Sequence, residues 1–250
     1  MSVHPPAQVS TPPAPSGRLR PGRRDRRHRA AAVALAAGAL TMAVAETVHP
    51  RGGADGAAGL LQEFTEAPGT WTAWALLLMA TALLQLPGVL AWRARLAAGR
   101  GAAFVGVATL LLGAGLVALF SFGESHGEGV AVAGDGPVSP ELAEAYTRLE
   151  AAAPLGVMTV LTLLGFHLGW ALFAVALARA GVLPWPVGLL GVVGALAPFF
   201  LSEVWSTGET LGFWLLAGVV GWASVRLFAA ASAEHGGDRP APPTLPAPGA

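Results

Sequence analysis

The chain has 250 residues, of which 54% are hydrophobic and only 12% charged, and its formal net charge is zero. A soluble domain carries roughly twice that charged fraction, so the composition is typical of a membrane protein. Cysteine is absent, which excludes disulfides, a thiolate nucleophile and a cysteine-ligated metal. Lysine, asparagine and isoleucine are absent too, a bias of GC-rich coding that indicates a bacterium such as an actinobacterium.

The N-terminal segment, residues 1–29, is rich in proline and arginine and has no apolar periodicity, so it is predicted to be a disordered tail. Its basic cluster at residues 23–29 directly precedes an apolar stretch and suits an anionic membrane surface, so no nucleic-acid partner is expected. A second interpretation stays open. The basic start, the apolar run from Ala30 and the triplet Ala43-Val44-Ala45 also fit a cleavable signal peptide, which would leave five spanning helices.

Six apolar stretches follow, and each is long enough to cross a bilayer as a helix, which needs ~20 mostly apolar residues. The predicted fold class is therefore all-α, a polytopic bundle of six transmembrane helices within residues 30–231. Residues 232–250 end in a proline-rich run and are predicted to form a second disordered tail. The six stretches are 30–49, 71–91, 101–122, 153–179, 185–204 and 210–231.

The charges of the connecting loops alternate in sign along the chain. If the N-terminus is cytoplasmic, every arginine except Arg51 and Arg148 falls in an inside segment, whereas most acidic residues fall outside. Arginines near helix ends resist translocation and set the orientation. The pattern predicts a multi-pass protein of the bacterial plasma membrane, with both termini in the cytoplasm and the lipid bilayer as its main partner.

The two larger loops both lie on the predicted outer side. In the second loop, Ser139-Pro140-Glu141 is a typical helix start, with a capping hydroxyl, a first-turn proline and a carboxylate in the positive first turn. A short amphipathic helix is expected there, on the outer membrane surface or capping the bundle, and Leu60, Leu61 and Phe64 predict a smaller counterpart. Four tryptophans near helix ends are interpreted as interfacial anchors: Trp71, Trp74, Trp92 and Trp185.

Ionisable side chains within or beside the spans are the candidate functional residues, because such groups are costly in a membrane. Glu46 and His49 lie three residues apart and share a helix face. The candidate polar pocket at the outer ends of the helices comprises Glu46, His49, Glu124, His126, Glu128, Glu203 and Glu209, with His167 at mid-depth. Imidazole and carboxylate could bind a metal, with His49 and His126 as weak candidates, relay protons or hold a polar substrate. Acidic residues can also collect at outer ends for topological reasons alone.

His167 lies between Gly165 and Gly169, which are four residues apart and should form a smooth face for a neighbouring helix. His167 should therefore point to the opposite side, towards a backbone carbonyl, Gln85, a threonine or a ligand. Further glycines favour close packing between helices, or association with a second copy or another membrane protein through glycine-rich faces; they are Gly106, Gly113, Gly188, Gly191, Gly194, Gly218 and Gly221.

The run Gly165-Phe166-His167-Leu168-Gly169, the segment 178–184 and the glycine-rich start of the next helix resemble an uncharacterised family of six-helix bacterial membrane proteins, catalogued as a domain of unknown function. Glu46 and the acidic first outer loop are similar as well, and the resemblance covers about residues 30–231. Ala180 and Trp185-Pro186 depart from the family's usual inner loop. The resemblance implies a six-helix fold and draws attention to Glu46 and His167, but it implies no reaction.

Three functions remain open from the sequence. The first is a non-enzymatic membrane protein that handles or senses a small molecule or ion through an outward-facing polar pocket. The second is a metal-dependent membrane enzyme or redox subunit that uses Glu46, His49, His126 and His167. The third is a structural or partner-binding subunit. No phosphate-binding loop, serine triad or other motif that names a reaction or a cofactor is present.

Overall fold

The computed structural model describes residues 21–50, 56–134, 136–201 and 207–236. These residues form nine α-helices and one π-helical segment, and no strand occurs among them. In chain order the elements are α1 (Pro21–Val48), α2 (Gly56–Glu66), α3 (Pro68–Leu96), α4 (Ala102–Ala133), α5 (Pro140–Glu150), α6 (Ala153–Val160), the π-helical segment (Leu161–Phe166), α7 (His167–Arg179), α8 (Trp185–Leu201) and α9 (Gly208–Gly236). The prediction of an all-α fold is confirmed.

Five of the predicted spanning helices are long and apolar enough to cross a membrane: Arg26–Val48, Pro68–Leu96, Ala102–Ala133, Gly156–Arg179 and Gly208–Ala233. The sixth, α8, has 17 residues and is about 25 Å long, slightly less than the ~30 Å of the hydrocarbon layer. Its predicted end at residue 204 lies outside the described residues.

Four predicted boundaries differ from the structure by five residues or more, and one of them is the end of the second stretch, which was predicted at residue 91 and lies at Leu96 in α3. Residues 21–29, predicted as part of the disordered tail, form the start of α1, and residues 232–236 continue α9. Both segments contain alanine or arginine, which favour helices. The third stretch was predicted to end at residue 122, yet α4 runs to Ala133. Its 32 residues span about 48 Å, so roughly its last third extends beyond the hydrocarbon layer.

The helices that cross the predicted membrane form a closed ring. Helix α1 packs on α3 and α9, α3 packs on α4, and α4 packs on the π-helical segment and α7. Helix α7 then packs on α8 and α8 on α9, so consecutive spans are neighbours and the last one returns to the first. We call the two ends of this ring the histidine end, where α1 and α4 terminate, and the arginine end, where α3 and α9 terminate.

The outer surface of the ring is apolar. Large hydrophobic side chains are exposed along several helices, among them Leu83, Leu110, Val117, Leu189 and Val225. In water such an apolar surface would favour aggregation, whereas in a membrane the equally apolar lipid chains solvate it. The ring interior also contains apolar residues, including Leu78, Leu112, Phe166 and Phe173.

The closest helix contact joins α4 to the π-helical segment. A Cβ atom added to Gly115 would lie 2.2 Å from the backbone nitrogen of Phe166, and one added to Gly165 would lie 2.9 Å from the backbone nitrogen of Gly115. Gly169 packs on Leu112 in the same way. The predicted glycine face is confirmed, and only glycine allows this separation because the opposing atoms belong to the backbone.

The other glycines fall into two groups. Gly188, Gly191 and Gly194 pack against α7 or α9, as the prediction of close packing requires. For the remaining four, an added Cβ would meet no described atom within 4 Å; they are Gly106, Gly113, Gly218 and Gly221. These four glycines therefore make no close contact with a neighbouring described helix, and association of such faces with a second copy or another membrane protein stays a prediction.

Two short helices, α2 and α5, cover the histidine end and are called the lid helices. Leu61 and Phe64 of α2 are fully buried, and Tyr146 of α5 is buried as well, which confirms the predicted caps on the bundle. The hydroxyl of Ser139 accepts a hydrogen bond from the backbone N–H of Leu142 and caps α5. Hydrogen bonds from the backbone N–H of Glu141 and from Ser139 lower the pKa of the Glu141 carboxyl.

Candidate functional site

Four rings at the histidine end form one contiguous group, which we call the His–Trp cluster: His49, Trp71, Trp74 and His126. Trp71 and Trp74 lie three residues apart near the start of α3 and therefore share a helix face. His49 follows the end of α1, and His126 lies in the part of α4 that extends beyond residue 122. The up-and-down path of the chain brings these three helix termini together.

Each histidine of the cluster stacks on one tryptophan. The ring of His49 lies parallel to that of Trp74, with centroids 4.4 Å apart and planes 14° apart. His126 is parallel to Trp71 at 5.9 Å and meets Trp74 edge-on at 5.0 Å. The two indoles are perpendicular to each other at 5.5 Å. A protonated imidazole in either position would gain a cation–π attraction from the indole face.

Glu46 places a carboxylate beside this cluster. Its Oε2 atom is 3.9 Å from Nδ1 of His49, and the residue is only 7% exposed. The distance fits an ion pair when His49 is protonated, and it is longer than a hydrogen bond. The sequence predicted this pairing from the spacing of three residues. The backbone carbonyl of Glu46 accepts a 3.5 Å hydrogen bond from the Thr210 hydroxyl, which joins α9 to the same turn.

His126 is held by its own helix. Its Nδ1 atom is 2.8 Å from the backbone carbonyl oxygen of Phe122. Because a carbonyl oxygen only accepts hydrogen bonds, we assign the proton to Nδ1, which leaves Nε2 as the atom that gains a proton when the ring becomes charged. The Phe122 ring also contacts His126, with centroids 4.4 Å apart.

Helix α2 of the lid rests directly on the cluster, and α5 contacts α2. Phe64 of α2 meets Trp71 edge-on at 4.8 Å, His126 at 6.1 Å and Tyr146 of α5 at 6.4 Å. Gly129 of α4 allows this approach, because a Cβ atom there would lie 2.6 Å from the Phe64 ring. A groove of about 270 Å³ between α4 and α5 includes Glu128 and Tyr146, so the lid contact borders an open cleft.

The interpretation of three tryptophans as interfacial anchors is wrong. Trp71 and Trp74 are each 4% exposed and Trp92 is 3% exposed, whereas Trp185 is half exposed, as an anchor should be. Moreover, the indole N–H groups of Trp71, Trp74 and Trp92 are buried and have no acceptor among the described residues. The shared face of Trp74, Thr81 and Gln85 on α3 could have signalled burial, since polar residues at that depth avoid lipid.

The other predicted site residues at the outer ends of the helices are not part of the cluster of rings. Glu124 and Glu128 are exposed on α4, and Glu209 is half-buried in the first turn of α9. Glu203 lies outside the described residues. Within the described ranges, no three histidine, aspartate or glutamate side chains are grouped as a metal site would require. His49 and His126, the weak metal candidates, each contact tryptophan rings instead.

His167 occupies a separate site in the interior of the bundle. Its Nδ1 atom is 2.7 Å from the carbonyl oxygen of Ala195 on α8, and its ring contacts Phe199 and Phe213. The ring thus points away from the glycine face, as predicted, and its partner is a backbone carbonyl. Gln85 donates to the Gly38 carbonyl and accepts from the indole N–H of Trp170, both at 3.1 Å. These contacts join α1, α3 and α7 at mid-bundle.

The fold and the apolar exterior define a class: this is an all-α, polytopic membrane protein whose helices form a six-membered ring. Its most chemically distinctive feature is the His–Trp cluster with Glu46, in which the two indoles are buried and the two imidazoles are partly exposed. No protein-family model matches the chain, and no similar curated protein or solved structure is found. The chemistry of the residues themselves is therefore the basis for a functional proposal.

Proposed function

We propose that this protein is a proton-responsive protein of the bacterial plasma membrane, which binds protons at the His–Trp cluster on its outward-facing end. The proton is the small ion that the pocket at this end senses or handles. Histidine is the side chain whose ordinary titration range lies between pH 5 and 8, so a histidine at this end of the bundle can respond to external acidity.

One observation carries the proposal: His49 lies close to both a carboxylate and the face of an indole. The Glu46 oxygen is 3.9 Å away on one side, and the Trp74 ring is parallel to the imidazole at 4.4 Å. Both neighbours favour a positive charge on His49. A carboxylate at such a distance stabilises the charged imidazole, and a cation–π contact adds about 0.5–2 kcal/mol.

Carboxylates surround the cluster at this end of the bundle. Helix α3 is the exception among the helices there, because its outer end contributes only the two indoles. Arg148 is the one described basic residue of the lid, and it pairs with Glu144 at 3.2 Å. The carboxylates at this end come from α1, α2, α4, α5 and α9; they are Glu46, Glu63, Glu66, Glu124, Glu128, Glu141, Glu144 and Glu209. This excess of negative charge favours proton uptake.

Proton binding at the cluster can change the position of the lid helices, because Phe64 of α2 packs on the cluster. Phe64 contacts both Trp71 and His126, and it also contacts Tyr146 of the second lid helix. A charge that appears on His126 must be solvated or compensated, because the apolar Phe64 and Phe122 rings lie against it. Proton uptake therefore loosens the contact between the cluster and the lid, which exposes the cluster to the outer solution.

The orientation in this proposal is supported by the segregation of charges. The arginine end carries Arg93, Arg95, Arg100, Arg179 and Arg226, and positive residues mark the cytoplasmic side. The histidine end is then outside, and both termini are cytoplasmic. The resemblance to an uncharacterised six-helix family, as proposed from the sequence, is in keeping with this arrangement and adds no activity.

The experiment is a titration of intrinsic tryptophan emission in purified protein between pH 8 and pH 4. A protonated imidazole that stacks on an indole quenches its fluorescence, so acidification should lower the emission in a sigmoidal step. The Glu46→Gln variant removes the negative partner of His49, and we expect the midpoint to fall by about one pH unit. The step should disappear in the His49→Gln, His126→Gln double variant.

Two controls separate the cluster from other chromophores. Trp222→Phe removes an exposed indole that has no role in the cluster, and it should leave the midpoint unchanged. Trp74→Phe removes the ring that stacks on His49 and should reduce the amplitude. A titration that is identical in wild type and in the double histidine variant would refute the proposal.

A further inference from the structure

A second site lies at the opposite, arginine end of the bundle and does not depend on the proposed proton binding. A cavity of about 480 Å³ opens between the last turns of α3 and α9 and the turn that joins α7 to α8. Its walls include Trp92 and Arg95 of α3, Gly181 of the turn, and Arg226 and Ala230 of α9. We refer to it as the arginine pocket.

We infer that the arginine pocket binds a phosphate group. Two guanidinium groups from different helices, those of Arg95 and Arg226, line one cavity. Guanidinium presents planar, paired donors that match phosphate oxygens, and it stays charged at any physiological pH. Basic pockets between membrane helices on the cytoplasmic side are suited to anionic lipid head groups.

Membrane topology alone explains why many arginines lie at this end. It does not explain why Arg95 and Arg226 line the same cavity. Arg93 is two residues from Arg95 on α3, yet it does not line the pocket. Arg179 lies over the Phe104 ring, 5.0 Å from its centroid. A purely topological role would require only that arginines be near helix ends, whereas Arg95 and Arg226 are brought together from distant parts of the chain.

A buried donor in the wall of the pocket points to an acceptor ligand. Trp92 is 3% exposed, and its indole N–H has no acceptor among the described residues. An unsatisfied buried donor costs about 1–3 kcal/mol, so such a group is expected to have a partner in the working state. A phosphate oxygen held by the two arginines could accept this hydrogen bond after a small shift of the ring.

The mouth of the pocket is kept open by small residues. Gly181 has φ of +72°, a left-handed conformation that favours glycine, and a Cβ atom there would meet no described atom within 4 Å. Ala230 lines the α9 side. Both a phospholipid head group and a soluble phosphate compound present the chemistry that this site recognises, and the test must distinguish between them.

The test uses the full-length protein in nanodiscs of pure phosphatidylcholine. One arm adds short-chain phosphatidylglycerol, the other adds inorganic pyrophosphate, and native mass spectrometry or thermal stabilisation reports binding. Arg95→Gln and Arg226→Gln should each weaken binding roughly tenfold to a hundredfold, as expected for a charge-assisted hydrogen bond. The matched control is Arg93→Gln, which has the same charge change on the same helix and should bind as the wild type does.

Trp92→Phe keeps an aromatic wall and removes only the N–H donor, so it tests the site if an arginine variant fails to fold. We expect binding to weaken about tenfold in this variant. Selective binding of phosphatidylglycerol identifies a lipid head group as the ligand, and selective binding of pyrophosphate identifies a soluble compound. The inference is overturned if neither probe binds, or if Arg93→Gln weakens binding as much as Arg95→Gln and Arg226→Gln do.

Discussion

Replacing Gly115 with alanine tests the packing of the bundle at its tightest point. The new Cβ atom would lie 2.2 Å from the Phe166 nitrogen, 2.5 Å from the Gly165 carbonyl carbon and 2.7 Å from the Phe166 Cα. All three are backbone atoms, so no side-chain rotation can relieve the collision. Helix α4 and the π-helical segment must move apart by about 1 Å, which loosens the contacts along their shared interface.

The expected change in the free energy of unfolding is the sum of two opposing contributions. Overpacking typically destabilises by about 1–3 kcal/mol, and a backbone collision belongs at the upper end of that range. Alanine regains at most ~1 kcal/mol through its better helix propensity. We therefore expect a net loss of about 2 kcal/mol, which corresponds to a fall in the midpoint of thermal unfolding of roughly 4–8 °C for a chain of this size.

The matched control is Gly113→Ala on the same helix. A Cβ atom at Gly113 meets nothing within 4 Å, so this variant should be as stable as wild type or slightly more stable. Thermal unfolding in detergent, followed by size-exclusion chromatography of each heated sample, measures both midpoints. Equal midpoints for the two alanine variants would show that α4 and the π-helical segment do not approach as closely as described.

Three further predictions concern other parts of the fold. Gln85→Leu leaves the buried Trp170 N–H without its acceptor and should cost about 1–3 kcal/mol of stability, and Trp170→Phe should recover part of that loss in the double variant; strictly additive losses would contradict the bond. Ser139→Ala removes the cap of α5, so the local stability of the lid should fall by about 1 kcal/mol and proteases should cleave it faster. The pKa of the Glu141 carboxyl should also rise towards its ordinary value in an NMR titration. An unchanged Glu141 titration would argue against this cap. Single cysteines at the exposed positions Ala97 and Ala151 should react with an impermeant thiol reagent on intact cells only at residue 151, because the chain has no native cysteine; labelling at residue 97 instead would invert the orientation.

Much of the architecture could be predicted from the sequence because a membrane span leaves a strong record in hydropathy. All six stretches were located, although α1, α3, α4 and α9 extend beyond their predicted ends. The pairing of Glu46 with His49 followed from helical spacing. The end of α4 was missed for a physical reason. Charged residues at 124–128 mark where the hydrocarbon layer ends, but they are compatible with a helix. Helix α4 therefore continues to Ala133 and provides the surface on which α2 packs, and α5 packs on α2.

The site itself could be predicted only in part. A sequence places Trp71 and Trp74 near a helix end, but it does not state whether that end faces lipid head groups or the inside of the bundle. The contact between His126 and these rings joins residues about 50 positions apart in the chain, and no local pattern encodes it. The contact between His167 and the Ala195 carbonyl likewise joins two helices across 28 positions of the chain, and no local pattern encodes it.

The most direct test of proton binding at the His–Trp cluster is one-sided acidification of reconstituted vesicles. Orientation is first fixed by labelling a cysteine at position 151, and the outer solution or the lumen is then acidified separately while tryptophan emission is recorded. The account predicts quenching when the compartment that contains residue 151 becomes acidic, and no change when the other compartment does. A response that follows only the compartment at the arginine end would contradict it.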